Sequence, residues 1–173
     1  MKKKLYGFTL VELIVVIAII GVLAGILVPS MLGYVKKSKI AGVNSNAKTL
    51  SNAAVTALAE LDTEDLELVS DDALHDFEWS KSDANAGENA DASAQQAIAA
   101  RIYKYFTDVS TFDHAYYRVS RSAVLAAAVS SGSFYGAYPH ATNDSSESDG
   151  SAENTAFSDE AVLLNWAQKG TLS

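Results

Sequence analysis

The chain has no cysteine. A disulfide framework and thiolate metal sites are therefore excluded, and whatever folds here must hold by burial and hydrogen bonds. Cations are scarce as well: 13 Lys and Arg stand against 21 Asp and Glu, for a formal charge of −8. Nucleic acid is not an expected partner, because phosphate contacts need clustered positive charge. The three histidines, His75, His114 and His140, are scattered with no H-x-x-x-H pair, and no G-x-S-x-G or phosphate-binding glycine loop occurs. No catalytic residue, cofactor or metal is expected. The oxygen-rich Asp144, Glu147 and Asp149 lack the spacing of an EF-hand.

A long apolar run is what the chain does have. From Phe8 to Leu27 there are 20 residues whose only charge is Glu12. At about 1.5 Å per residue a helix over them spans roughly 30 Å, the hydrocarbon thickness of a bilayer. A secretory signal has an apolar core of only about 7–15 residues, so this segment is long enough to stay in the membrane. Orientation is nearly tied by charge, with Lys2, Lys3 and Lys4 on one side and Lys36, Lys37 and Lys39 on the other. Charge at the extreme N-terminus and the acidic C-terminal region favour a cytoplasmic N-terminus.

Glu12 is costly there, about 2.5–3.5 kcal/mol at the middle of a spanning helix and less near its end. One reading is that it marks the start of a shorter span, Leu13 to Met31. Another follows from Gly7: cutting after it would expose an α-amine on Phe8, four residues before Glu12, on the same helical face. Amine and carboxylate are both ionised at neutral pH, and opposite charges close together offset part of each other's desolvation.

With "GFTLVE" at Gly7 to Glu12, a short lysine-bearing leader before it and "LIVVIAIIGVLAGILVP" after it, the segment resembles the class III signal of type IV pilins and pseudopilins. The resemblance covers about residues 1–50. It implies that a prepilin peptidase cuts between Gly7 and Phe8 on the cytoplasmic side, that Phe8 is N-methylated, and that the helix is retained. It also implies that Glu12 pairs with the Phe8 amine of a neighbouring subunit as helices pack into a filament. Many pilins close a C-terminal loop with a disulfide, which this chain cannot form.

Gly21 and Gly25 make a G-x-x-x-G that lets backbones approach. Pro29 removes an N–H and leaves the Gly25 carbonyl without its helical partner. A kink or local melting over residues 21–29 is expected, or simply a bend at the membrane exit. Beyond it, Leu32, Val35, Val43, Ala47, Leu50, Ala54, Ala57 or Leu58, and Leu61 recur at three- and four-residue steps, predicting an amphipathic continuation of the helix.

Residues 60–91 hold twelve of the 21 acids against the single cation Lys81, and read as a solvated connection or as a surface facing a neighbour's Lys36, Lys37 and Lys39. Ala90–Phe106 reads as a helix with Ile98, Ile102 and Phe106 on one face. His114–Pro139 reads as an antiparallel meander, Tyr116–Ser120, Val124–Val129 and Ser133–Tyr138, although its polyalanine middle suits a helix too. Ala141–Thr155 reads as a surface loop. A helix capped by Ser158 and ending at Gly170 is expected after it, with Trp166 packed inward. The aromatics Tyr116, Tyr117, Phe134, Tyr135 and Tyr138 fill a sheet core on alternate positions or form a sugar-binding platform.

The expected architecture is thus α+β and pilin-like: leader 1–7, helical stalk 8–61 with 8–28 transmembrane, and head 62–173 with a small antiparallel sheet. The expected function is that of a type IV pilus subunit, a homo-oligomer in a surface filament for adhesion or twitching motility. Its partners are then prepilin peptidase, the assembly machinery and, before assembly, the plasma membrane. The alternatives are a pseudopilin of a type II secretion or DNA-uptake system and a membrane-anchored carbohydrate-binding protein.

Overall fold

The computed structural model describes residues 8–64, 73–87, 93–121, 123–142 and 160–169. The first helix, α1, runs Leu10–Thr63. The chain divides into two compact units, Met1–Lys37 and Ser38–Ser173.

In the first unit α1 is apolar on every face, and Leu13, Ile17, Ile20, Ile26 and Leu27 are each more than half exposed. A helix hydrophobic all round belongs in lipid or against other apolar helices, and this one is long and apolar enough to cross a membrane. It is unbroken through Pro29. Leu32 and Val35, expected under the covered face, are exposed at 68% and 51%. The buried stripe begins at Ile40 instead.

From Ile40 onward the pattern becomes amphipathic: Val43, Ala47, Leu50, Ala54, Ala57, Leu58 and Leu61 are buried. They pack on a four-stranded antiparallel sheet in the order β1-β2-β3-β4, made of β1 His75–Glu78, β2 His114–Ser120, β3 Ala123–Ser131 and β4 Phe134–Tyr138. Gly136 of β4 lies directly under α1, where a Cβ would overlap the Val43 carbonyl. Only glycine permits that approach. The neighbouring Asn44 accepts a hydrogen bond from the Ala137 N–H on the open edge of β4 (3.0 Å) and donates to the Thr142 carbonyl (2.7 Å). One side chain thus satisfies an edge strand that would otherwise present free backbone groups. Thr142, expected in a surface loop, is buried as a result.

Two short helices complete this layer: α2 Lys81–Ala86 and α3 Ala94–Tyr105, the latter opened by a Ser93–Gln96 capping box. Ile98 and Ile102 of α3 are fully buried beside Leu50 and Leu61, with Tyr117 beneath. The opposite sheet face carries α4, Glu160–Lys169, whose Leu163, Leu164 and Ala167 meet Tyr116, Ala126, Ala128 and Ala137. With both faces covered, β3 needs small side chains on both, which accounts for its alanines. The antiparallel meander is as expected, with a bulge between Arg118 and Val119.

The acidic stretch differs from expectation. Its described residues include β1 and α2, and two of its carboxylates are partners rather than solvated charges: Asp76 binds Arg118, and Glu78 binds His114. Trp79 is buried and donates to the Ala99 carbonyl at 3.0 Å. The five aromatics are divided between the faces, Tyr117, Phe134 and Tyr138 toward α1 and Tyr116 and Tyr135 toward α4, so they do not form one platform. Ser158, Gly170, Asp144, Glu147 and Asp149 lie outside the described residues.

Candidate functional site at the start of the first helix

The first residue of α1 is Leu10, which makes Thr9 its N-cap and Glu12 its third helical residue. The two side chains close on each other. Thr9 donates from its backbone N–H (2.8 Å) and its hydroxyl (2.7 Å) to Glu12 Oε2, and the Glu12 N–H donates to Thr9 Oγ1 (3.3 Å). This reciprocal pattern is a capping box, which satisfies donors that a helix start leaves open. In hydrocarbon, where no water can do so, such satisfaction matters more.

Both Thr9 donors use Oε2, and no described donor reaches Oε1. The carboxylate is thereby oriented with one oxygen left open. The positive end of the helix dipole also favours an acid in the first turn. Phe8, just before the cap, is 80% exposed. Gly7 lies outside the described residues. Gly21 and Gly25 have no atom within 4 Å of a would-be Cβ, leaving space beside the helix at both. Pro29 sits inside α1, with Ser30 Oγ donating to the Leu27 carbonyl at 2.9 Å.

Thr9 is the functional candidate that a search for a charge partner passes over. Its signal is in the sequence, since T-x-x-E before an apolar run is a capping-box signature.

Residues 2–28 match the model of the prokaryotic N-terminal methylation motif. The type IV major fimbrial protein FimA of Dichelobacter nodosus is 40% identical over 60 residues, 35% of this chain and 38% of that protein. A fimbrial protein of Pseudomonas aeruginosa is 41% identical over 58 residues, 34% of this chain and 38% of its own length. The type IV major pilin protein PilA of Myxococcus xanthus is 41% identical over 56 residues, 32% of this chain and 26% of its own. The chain thus spans less than two fifths of the length of these relatives. No solved structure matches it. Through its N-terminal third, the chain is similar to type IV pilins and carries their N-terminal methylation motif.

Proposed function

We propose that the chain is a structural subunit of a type IV pilus. Its leader, residues 1–7, is removed by prepilin peptidase between Gly7 and Phe8 on the cytoplasmic side, and the new amine of Phe8 is methylated. Before assembly the subunit sits in the plasma membrane with a cytoplasmic N-terminus. It then joins a surface filament through the apolar part of α1, and the filament serves adhesion or motility. The Glu12 oxygen that Thr9 leaves open accepts the Phe8 amine of a neighbouring copy, and residues 21–29 supply the place where the helix yields in the filament.

The observation that carries this reading is the Leu10–Leu27 segment of α1, exposed and apolar on all sides, whose only acid, Glu12, is held by a cap at its start. A lone membrane anchor gains only a cap from Glu12, whereas a helix that must dock at one axial register also gains a charge partner. Shearing cells, imaging the released material and sequencing its N-terminus tests the proposal. Filaments whose subunits begin at methylated Phe8 are expected; a chain that still begins at Met1 and stays in the membrane would overturn it.

A further inference from the structure

The uncharged stretch of α1 runs well past Pro29. Between Glu12 and Lys36 there are 23 residues without a charge, Leu13 to Val35. As a helix they measure about 35 Å, and an ordinary tilt of about 20° brings that to about 33 Å, close to the roughly 30 Å of hydrocarbon. Met31, Leu32 and Val35 are each more than half exposed. A span that stopped at Val28 would leave all three in water, which is unfavourable for apolar surface. Ending it at Val35 also brings Glu12 to the opposite interface, where an acid costs less than at mid-membrane.

The residues at the outer end suit a headgroup layer. Tyr34 is 82% exposed, Lys37 is exposed and Lys36 is half-buried. A tyrosine ring settles at headgroup level, and a lysine lays its stem along apolar surface while its ammonium reaches out. Lys36 and Lys37 leave the helix about 100° apart, which a fluid layer of phosphates accommodates and one flat protein surface does not. The head has the opposite sign: Ser38–Ser173 holds 8 Lys and Arg against 20 Asp and Glu. An anionic surface therefore repels the head and attracts the two lysines that precede it.

We propose that Tyr34, Lys36 and Lys37 bind the headgroups of anionic phospholipids in the outer leaflet and thereby fix the membrane span at residues 13–35. The inference rests on the reading of the chain as membrane-inserted with a cytoplasmic N-terminus. It needs no filament.

The test uses the full-length protein reconstituted in phosphatidylcholine vesicles. Electron paramagnetic resonance compares how spin-labelled phosphatidylglycerol and spin-labelled phosphatidylcholine associate with it. Lys2, Lys3 and Lys4 attract the same anionic lipid at the other end, so the measure is the difference between parent and variant. Lys36→Gln combined with Lys37→Gln should lower the preference for phosphatidylglycerol about fivefold, and Lys36→Arg with Lys37→Arg should keep it. Lys48→Gln removes a charge held 5.9 Å from the Tyr138 ring centroid and should leave the preference unchanged. Because the chain has no cysteine, nitroxide labels on Leu32→Cys and Ser38→Cys report depth without background. The first should be shielded from a water-soluble relaxation agent and the second open to it. An unchanged lipid preference in the double glutamine variant overturns the proposal, as does equal accessibility at the two labels. If that variant loses sheared filament while keeping its lipid preference, the lysines serve a neighbouring subunit instead. Each of these failures leaves the pilus reading intact, whereas a parent chain that does not enter the vesicles sinks the membrane reading on which both rest.

Discussion

Arg118 and Asp76 stand opposite each other on β2 and β1 and form a two-point ion pair, Nε to Oδ1 at 2.5 Å and the second terminal nitrogen to Oδ2 at 2.7 Å. The arginine is buried, and its remaining terminal nitrogen donates to Asn165 Oδ1 (2.7 Å) and Gln168 Oε1 (3.0 Å) on α4. One guanidinium therefore ties an edge strand, the sheet and the last helix together. Removing Asp76 strands a buried charge; removing Arg118 does not, because the Asp76 side chain is 27% exposed and water can reach it. Asp76→Ala is expected to cost about 2–3 kcal/mol and Arg118→Met about half that. Denaturant unfolding of the full-length protein in detergent, followed by near-ultraviolet circular dichroism, measures both. Equal losses would place the stabilisation in packing rather than in the pair.

Gly136 gives a second expectation. A methyl group there meets the backbone of Val43 and Asn44 on α1, and neither can swing aside as a flexible side-chain end would. Gly136→Ala should therefore push β4 from α1 and cost about 3 kcal/mol, the upper end for overpacking. It should also break the Asn44 bond to Ala137. Amide exchange at Ala137 is the local reporter, and protection equal to the parent protein would refute the close approach.

Tyr117 sets an alkaline limit. Its ring is fully buried against Phe77, with centroids 5.5 Å apart, and its hydroxyl has no partner among the described residues. Burial first, and the negative charge of Asp83 second, push its phenol pKa above the ordinary tyrosine value. In the unfolded chain the same phenol ionises near pH 10, so above that pH the unfolded state binds fewer protons than the folded one. This contribution to stability is intact below about pH 10 and is lost as the pH rises beyond it. Tyr117→Phe cannot ionise, and at neutral pH it removes only an unsatisfied hydroxyl. Its melting temperature should match or exceed the parent's at pH 7 and fall less steeply between about pH 10 and 11.5. Parallel curves for the two proteins would show that Tyr117 does not control the alkaline loss.

Much of this was legible because periodicity survives in long elements. The all-apolar run before Pro29, the three- and four-residue steps from Val43 to Leu61 and the alternation in His114–Pro139 each report one environment. Polyalanine at Ala126–Ala128 defeats that logic, since alanine suits a helix as well as a strand covered on both faces. It is the neighbours α1 and α4, not the strand, that decide. The acidic stretch misled for a related reason. Four residues of β1 alternate half-buried and exposed, and the exposed acids read as solvent-facing until Arg118 stands opposite Asp76 and His114 reaches Glu78 from two residues along β2. Asn44 was illegible, because its partners lie 93 and 98 residues away.

The capping role of Glu12 and its proposed pairing with a neighbouring subunit can be separated by substitution. Its Oε2 closes the capping box with Thr9, a task that glutamine performs equally well, since the amide oxygen also accepts from an N-cap residue. Pairing with a neighbour's ammonium needs the charge. Glu12→Gln should therefore leave the helix start intact and cleavage after Gly7 normal by mass spectrometry. Sheared filament should nonetheless fall tenfold or more, equivalent to at least about 1.4 kcal/mol at the assembly contact. Glu12→Ala, which loses both roles, should do no better. Thr9→Ala keeps the charge but releases the carboxylate from its fixed orientation, so a smaller loss of a few fold is expected, the effect of about 1 kcal/mol for a cap. If Glu12→Gln polymerises like the parent while Glu12→Ala fails, the acid is present for its cap, and the intermolecular ion pair is wrong.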